Sequence, residues 1–360
     1  MIADAIDLSG LRRVLVTKLR HHGDVLLTSP VFQTLKNHGP HLEIDALTYR
    51  DTLPMLALHP AISKIFSVDR DWKRQSLLSQ LRNEWRLIRD LRDRKYDLIV
   101  HLTEHPRGAW IKRFAGIRYG IARELGDRVR PGWNRFTHFY RHQSNNRRHT
   151  VDLHLDALRR IGLEPSVDES RLVLVAGPDA EKSVDSKLEA AGLDSQSFIH
   201  IHPTSRWFFK TWPPENFAEL INRLAQKEHK IVITSASDQK EMAMVASILA
   251  SVTGTVINFS GQLSLKELAA LTARARLFIG VDSAPMHIAA AMRTPVVALF
   301  GPSGEVEWTP WMVPHRLVLS THPCRPCGRD GCGGSKVSQC LTTLDTDRVE
   351  TAVNELLSAT

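Results

Sequence analysis

Apolar residues recur along this chain in two alternating rhythms. Runs at 13–17, 42–47 and 96–100 predict strands, and helical spacing of Val25, Leu26, Val31, Phe32 and Leu35 predicts a helix over 25–36. A second helix is predicted over 77–91, with a charged outer face. This strand–helix–strand order implies a parallel sheet. Residues 107–150 are rich in Arg, Gly and His, with little apolar periodicity, and read as loops and short helices. An amphipathic helix follows over 149–161, then a strand over 171–175 and a helix over 179–190.

A second series then begins. Strands are predicted at 198–201, 230–234 and 256–259, with helices at 214–225 and 238–250. Ser264 and Glu267 form a capping box that opens a helix ending near Arg274. The densest stretch comes next: a buried strand at 277–281, a polar turn, an Ala-rich helix begun by Pro285, and a second buried strand from Pro295 to Gly301-Pro-Ser-Gly304. A closing helix over 345–357 is predicted to pack back on the first half. The architecture expected is α/β, with two Rossmann-like domains over 1–175 and 176–360.

Length and charge narrow the picture. At 360 residues the chain has ample length for buried cores. Its net charge of +8 is unevenly spread. Residues 1–170 carry 29 Lys and Arg against 20 Asp and Glu, whereas the remainder carries 18 against 19. Eleven of the basic residues lie between Arg107 and Arg148, which implies an anionic partner. No apolar run approaches the ~20 residues that span a bilayer. Met1 to Gly10 has no basic segment of the secretory kind, so the cytoplasm is the expected compartment.

Candidate chemistry sits at strand ends, each with a plainer alternative. Asp24, after Gly23, is either a helix cap or a general base on a hydroxyl. Thr204, Ser205 and Lys210, in an aromatic-rich loop, suit a diphosphate or form a packed loop with a solvated cation. Asp238 and Glu241 are a cap and a first-turn acid, or acceptors for ribose hydroxyls. Asp282, Ser283 and His287 cap and line a helix, or bind phosphate at its N-terminus. Asp69 and Asp71 have the shape of an acidic metal-binding pair, but their charged surroundings favour a solvated face. Cys324, Cys327, Cys332 and Cys340 match no common zinc spacing, and no metal or cofactor is assigned.

Together these motifs resemble glycosyltransferase family 9, the ADP-heptose:lipopolysaccharide heptosyltransferases. The resemblance runs from Leu15 to about Leu341. It rests on Gly23-Asp24 with Pro30, His202-Pro-Thr-Ser205 with Lys210 and Trp212-Pro213, and Gly280-Val-Asp-Ser-Ala-Pro-Met-His287 with Gly301-Pro302. Leu19-Arg-His-His-Gly-Asp24, Arg206-Trp-Phe-Phe-Lys210 and the Cys-rich tail are most similar to the heptosyltransferase III branch. The resemblance implies a GT-B fold whose two domains face each other across a cleft, and an inverting, metal-independent transfer from ADP-heptose to a heptose of the lipopolysaccharide inner core. It implies Asp24 as base and Thr204, Ser205, Lys210, Asp282, Ser283 and His287 around the diphosphate. Glu241, or its rival Asp238, would hold the ribose. Arg107, Lys112, Arg113, Arg118, Arg123 and Arg128 become candidates for the acidic acceptor, with peripheral contact on the cytoplasmic face of the inner membrane. Transfer by a heptosyltransferase I or II, or with another sugar nucleotide, stays open. Nucleic-acid binding finds no recognisable module, and a dehydrogenase would need the G-x-G-x-x-G that 18–24 lacks.

Overall fold

The computed structural model describes residues 4–126, 130–142 and 147–359. They divide into two compact units, with the break between Leu174 and Val175.

In the first unit, strands β1 (Arg13–Lys18), β2 (Glu43–Tyr49), β3 (Lys64–Val68), β4 (Leu98–His101), β5 (Tyr119–Arg123) and β6 (His138–Tyr140) form one sheet in the order β3-β2-β1-β4-β5-β6. Every neighbouring pair is parallel. The order reverses between β1 and β4, the place where open α/β sheets bind ligands beyond the strands' C-terminal ends. Helices α1 (His22–Leu26), α2 (Ser29–His38), α3 (Leu77–Asp93) and α4 (Arg107–Phe114) lie between the strands, and α5 (Thr150–Arg159) follows the last of them.

Several expectations are corrected here. The helix expected over 25–36 is two helices, because Pro30 has no N–H to continue the ladder and its ring would strike the carbonyl of Leu26. Residues 107–150 hold α4, β5 and β6 rather than loops and short helices alone. β6 is a three-residue edge strand, and only sheet pairing defines it. β3, another edge strand, was not anticipated. The strand expected over 171–175 has no ladder. The Val173 N–H donates instead to Ser29 Oγ at 3.0 Å.

An interior strand of this sheet, β2, is held by charge. Asp45 is fully buried in β2, and it accepts from Arg94 Nε at 2.8 Å and from the Tyr96 hydroxyl at 2.6 Å. Burial and the adjacent carboxylate push the Tyr96 hydroxyl far above its ordinary range. A buried carboxylate with this many donors is tolerated, and removing one partner would leave an uncompensated charge.

The second unit repeats the plan. β7 (Phe198–His202), β8 (Lys230–Ile233), β9 (Val256–Asn258), β10 (Leu277–Val281), β11 (Val296–Phe300) and β12 (His315–Leu319) form a parallel sheet in the order β12-β11-β10-β7-β8-β9. Its order reverses between β7 and β10. The helices are α6 (Pro178–Ala190), α7 (Pro214–Gln226), α8 (Gln239–Ala250), α9 (Leu265–Ala273), α10 (Ala284–Ala291), α11 (Glu305–Trp308), α12 (Gln339–Thr342) and α13 (Thr346–Ala359). The capping box at Ser264 and Glu267 opens α9 as expected.

Trp212 is fully buried, its ring 5.0 Å from Phe217, and its Nε1–H donates to Leu344 O at 2.9 Å. The closing helix α13, expected to pack back on the first domain, belongs to the second. Val349, Val353 and Leu356 join the cluster of Trp212, Leu299 and Val318. No helix among the described residues is long and apolar enough to cross a membrane.

Candidate functional site

Polar residues gather at the C-terminal strand ends of each unit. In the first, Lys18 ends β1, two residues after the apolar run 14–16, and is buried. Its Nζ donates to Leu102 O and reaches His154 Nε2, both at 2.9 Å. His154 Nδ1 lies 3.0 Å from the Leu27 carbonyl, which can only accept. That nitrogen therefore carries the proton, and Nε2 receives the ammonium. Burial pulls Lys18 down to about 8, opposed most by the Asp24 carboxylate, and the same charge environment includes Arg20, Glu104 and Arg123. Burial also holds His154 well below its ordinary value.

Asp24 lies in the first turn of α1, where its charge suits the helix dipole. It is not the cap. His21 occupies that position, with no side-chain cap bond. The Asp24 carboxylate stands 3.8 Å from Arg20 Nε. Across the switch point, His101 ends β4. Its Nδ1 meets Thr17 Oγ1 at 2.5 Å, and its Nε2–H donates to His105 O at 2.9 Å. Burial pulls this imidazole down to about 4. α4 begins directly over the ring. A Cβ on Gly108 would lie 2.3 Å from His101 Nδ1, so only glycine fits.

The six basic candidates fare differently. Arg107 pairs with Glu84 and Arg123 with Glu104. Lys112 is committed elsewhere. Its Nζ donates to Ile117 O and Arg118 O at 3.0 and 3.1 Å, tying α4 to the turn before β5. Arg118 lies over the Tyr119 ring at 4.7 Å. Arg113 is exposed, and Arg128 lies outside the described residues.

In the second unit, the loops after β7 and β10 flank the switch point. Lys210 Nζ donates to Asp282 Oδ2 at 2.6 Å, joining the two loops. Trp212, two residues on, anchors the Lys210 loop in the core. Thr204 Oγ1 donates to Glu241 Oε2 at 2.5 Å, and both residues are buried. Asp238 caps α8, with Oδ1 accepting from Lys240 N at 2.9 Å and Glu241 N at 3.3 Å. Ser205 Oγ accepts from Trp207 N at 3.3 Å. Ser283 precedes α10 without a side-chain cap bond, and its buried Oγ has no hydrogen-bond partner among the described residues. His287, one turn into α10, is buried with its ring 6.3 Å from Trp308.

Behind Thr204 runs a buried chain of hydrogen bonds that sequence reasoning missed. His202 Nε2 lies 3.3 Å from Thr204 Oγ1, and His202 Nδ1 2.8 Å from Thr234 Oγ1. Thr234 continues to His200 Nε2 at 2.7 Å, and His200 Nδ1 to Thr272 Oγ1 at 3.1 Å. Burial pulls His202 down to about 3 and His200 well below its ordinary value, so both are neutral. The available signal was alternation: two histidines two apart in a strand, on one face. Lys18 offered a similar one, an ionisable residue two places after an apolar run.

Asp69 caps its own turn, accepting from Asp71 N at 2.9 Å, and pairs with Arg50 at 3.2 Å. Cys324 is exposed and Cys340 buried, with burial pushing the latter thiol up to about 11. Among the described residues no group of three or more His, Cys, Asp or Glu is placed to hold a metal ion.

The pattern of glycosyltransferase family 9 (heptosyltransferase) matches residues 84–337. The chain is 36% identical to lipopolysaccharide heptosyltransferase 3 of Escherichia coli over 295 residues, 81% of this chain and 84% of that protein. The chain belongs to glycosyltransferase family 9. It is therefore a glycosyltransferase of the heptosyltransferase family, and its paired Rossmann-like domains are those of the GT-B fold. A family 9 glycosyltransferase from Veillonella parvula DSM 2008 superposes with a TM-score of 0.84, at 22% identity over 99% of this chain and 100% of that one. An E. coli heptosyltransferase solved with ADP-2-deoxy-2-fluoro heptose gives 0.72, at 18% identity over 95% and 99%. Family 9 membership matches the motifs from which the resemblance was drawn.

Proposed function

We propose that this family 9 enzyme transfers heptose from ADP-heptose to a heptose of the lipopolysaccharide inner core, with inversion and without a metal. The observation that carries the reading is the Lys210–Asp282 pair at the β7/β10 switch point, next to the buried Thr204–Glu241 pair. A diphosphate beyond these strand ends meets the Lys210 ammonium, the Ser205 hydroxyl, the Ser283 Oγ, which has no partner among the described residues, and the N-terminus of α10, and the Thr204 hydroxyl reaches it only by leaving Glu241. Asp282 keeps Lys210 aimed, and His287 lines the same helix start. Glu241 accepts the ribose hydroxyls, because Asp238 is occupied as a cap. A related E. coli heptosyltransferase has been solved with ADP, in keeping with this donor.

Asp24 is the general base. The acceptor oxygen attacks the anomeric carbon, and its proton passes to the Asp24 carboxylate. The bond from that carbon to the diphosphate oxygen breaks, and its electron pair leaves with ADP. Lys210 offsets the charge that develops there, the function a divalent ion serves elsewhere. Arg20 Nε stands 3.8 Å from the Asp24 carboxylate, and the Lys18 ammonium belongs to the same charge environment. Arg107, Arg113, Arg118 and Arg123 are the groups assigned to the acidic acceptor, whereas Lys112 is a structural tie.

Incubation with ADP-heptose and a panel of truncated core acceptors, read by mass spectrometry, tests donor and acceptor together. One added heptose is expected, and turnover is expected to persist in EDTA. Activity lost in EDTA and restored by Mg²⁺ would remove the metal-free scheme, and no transfer to any core acceptor would remove the substrate assignment.

A further inference from the structure

The outer face expected to be charged on α3 is apolar as well. Leu87 and Leu91 bury the inner side of the helix. Leu78, Leu81, Trp85 and Ile88 follow one another at steps of three and four, so they form a single stripe turned away from that side. Leu78 is 80% exposed, Leu81 59% and Trp85 66%. α4, packed beside α3, adds Trp110 and Phe114, stacked at 5.8 Å and 42% and 47% exposed. Trp85, Ile88 and Phe114 line one groove with Arg82, Arg86 and Arg89. Arg82, Arg86 and Arg92 are exposed and draw no ion pair among the described residues, whereas Arg89 pairs with Asp90 at 3.3 Å.

A contiguous apolar patch of this kind is unusual on a surface that faces only water. Leu and Trp rimmed by arginine match the two parts of an anionic bilayer surface, an acyl boundary and a layer of phosphates. A second copy of the chain fits less well. In a twofold dimer on this face the arginines of one protomer would meet those of the other, and like charges across an interface disfavour it.

We propose that the α3–α4 face docks on an anionic membrane surface. Leu78, Leu81, Trp85 and Phe114 enter the headgroup–acyl boundary, and Arg82, Arg86 and Arg92 bind lipid phosphates. This deepens the reading above, whose acceptor is carried on a lipid. Docking confines the enzyme to the plane in which that acceptor diffuses.

Flotation of the full chain with phosphatidylglycerol-rich vesicles and with pure phosphatidylcholine vesicles tests the face. Partition onto the anionic vesicles alone is expected. The double variant Leu78→Glu/Trp85→Glu is expected to lose about tenfold or more of it. Arg82→Gln/Arg86→Gln is expected to lose about fivefold per arginine. All variants should keep the wild-type unfolding temperature and transfer rate on a soluble, delipidated acceptor. Failure of the wild type to float, or equal flotation of Leu78→Glu/Trp85→Glu, would overturn the proposal. So would a dimer in sedimentation velocity that the same double variant dissolves, since the occupant would then be a second copy. Absent transfer with intact vesicle binding would instead remove the functional reading and leave the docking face standing.

Discussion

The two switch points are built from the same strand order, yet each treats its lysine differently. Lys18 is buried between a carbonyl and a neutral imidazole, and burial pulls it down to about 8. Lys210 is partly exposed and meets the Asp282 carboxylate at 2.6 Å. The scaffold is thus indifferent to the charge at its strand ends. Position comes from the sheet, and chemistry from whichever side chains the adjacent loops bring. Buried neutral histidines support both ends: His101 and His154 in one domain, His200 and His202 in the other. Each is hydrogen-bonded at both ring nitrogens, so each can fix a neighbour without carrying charge.

The proposed function gives proton transfer to the first end and charge neutralisation to the second, and this contrast can be broken in steps. The largest effect is expected from Asp24→Ala, a fall of about 10²- to 10⁴-fold in kcat with donor affinity retained. Near-normal turnover, with ADP-heptose affinity measured by calorimetry, would reduce Asp24 to a first-turn acid. Lys210→Ala is expected to lower kcat by about 10²- to 10³-fold. Unlike Asp24→Ala, it should also weaken ADP binding, because the orphaned Asp282 would face the diphosphate. Unchanged ADP affinity in Lys210→Ala would erase the distinction.

Stability against pH sharpens the same comparison. His202 stays neutral in the folded chain down to about pH 3, while the unfolded chain takes a proton near 6.5. Stability therefore falls as pH drops below 6.5, by about 1.4 kcal/mol per unit for one such group. His202→Gln should soften that fall in urea titrations at pH 7.5 and 4.5, and an identical slope would show that His202 is not the group involved. Lys18 gives the smallest effect and acts on the alkaline side. Its folded value near 8 lies below the unfolded 10.5, so the unfolded chain holds the extra proton between them and stability rises with pH through that window. Lys18→Met should flatten the rise, measured as the change in urea midpoint between pH 8 and 10 relative to wild type.

Much of the second domain was legible in the chain because its strands are apolar runs bounded by caps and prolines. Phe198–His202, Leu277–Val281 and Val296–Phe300 are central strands buried along their length, and nothing competes with that signal. Edge strands were harder. Lys64–Val68 and His138–Tyr140 are short and half-polar, and only pairing with Asp45–Tyr49 and Ile121–Arg123 makes them strands. Arg171–Val175 shows the converse error: it alternates like a strand, yet its backbone is satisfied by Ser29.

The sequence by itself determined the alternating α/β plan, the family and the residues at strand ends, because those signals are local: apolar runs, caps and short motifs with fixed spacing. Tertiary structure alone decided which of these residues meet. Lys210 and Asp282 lie 72 residues apart, and Lys18 and His154 136 apart, and parallel sheet order brings each pair within hydrogen-bond reach. It also decided that Asp24 is not a cap, that Lys112 is tied to backbone carbonyls, and that the outer stripe of α3 is uncovered. Periodicity marks an apolar face, but whether that face is buried depends on what the rest of the chain lays against it.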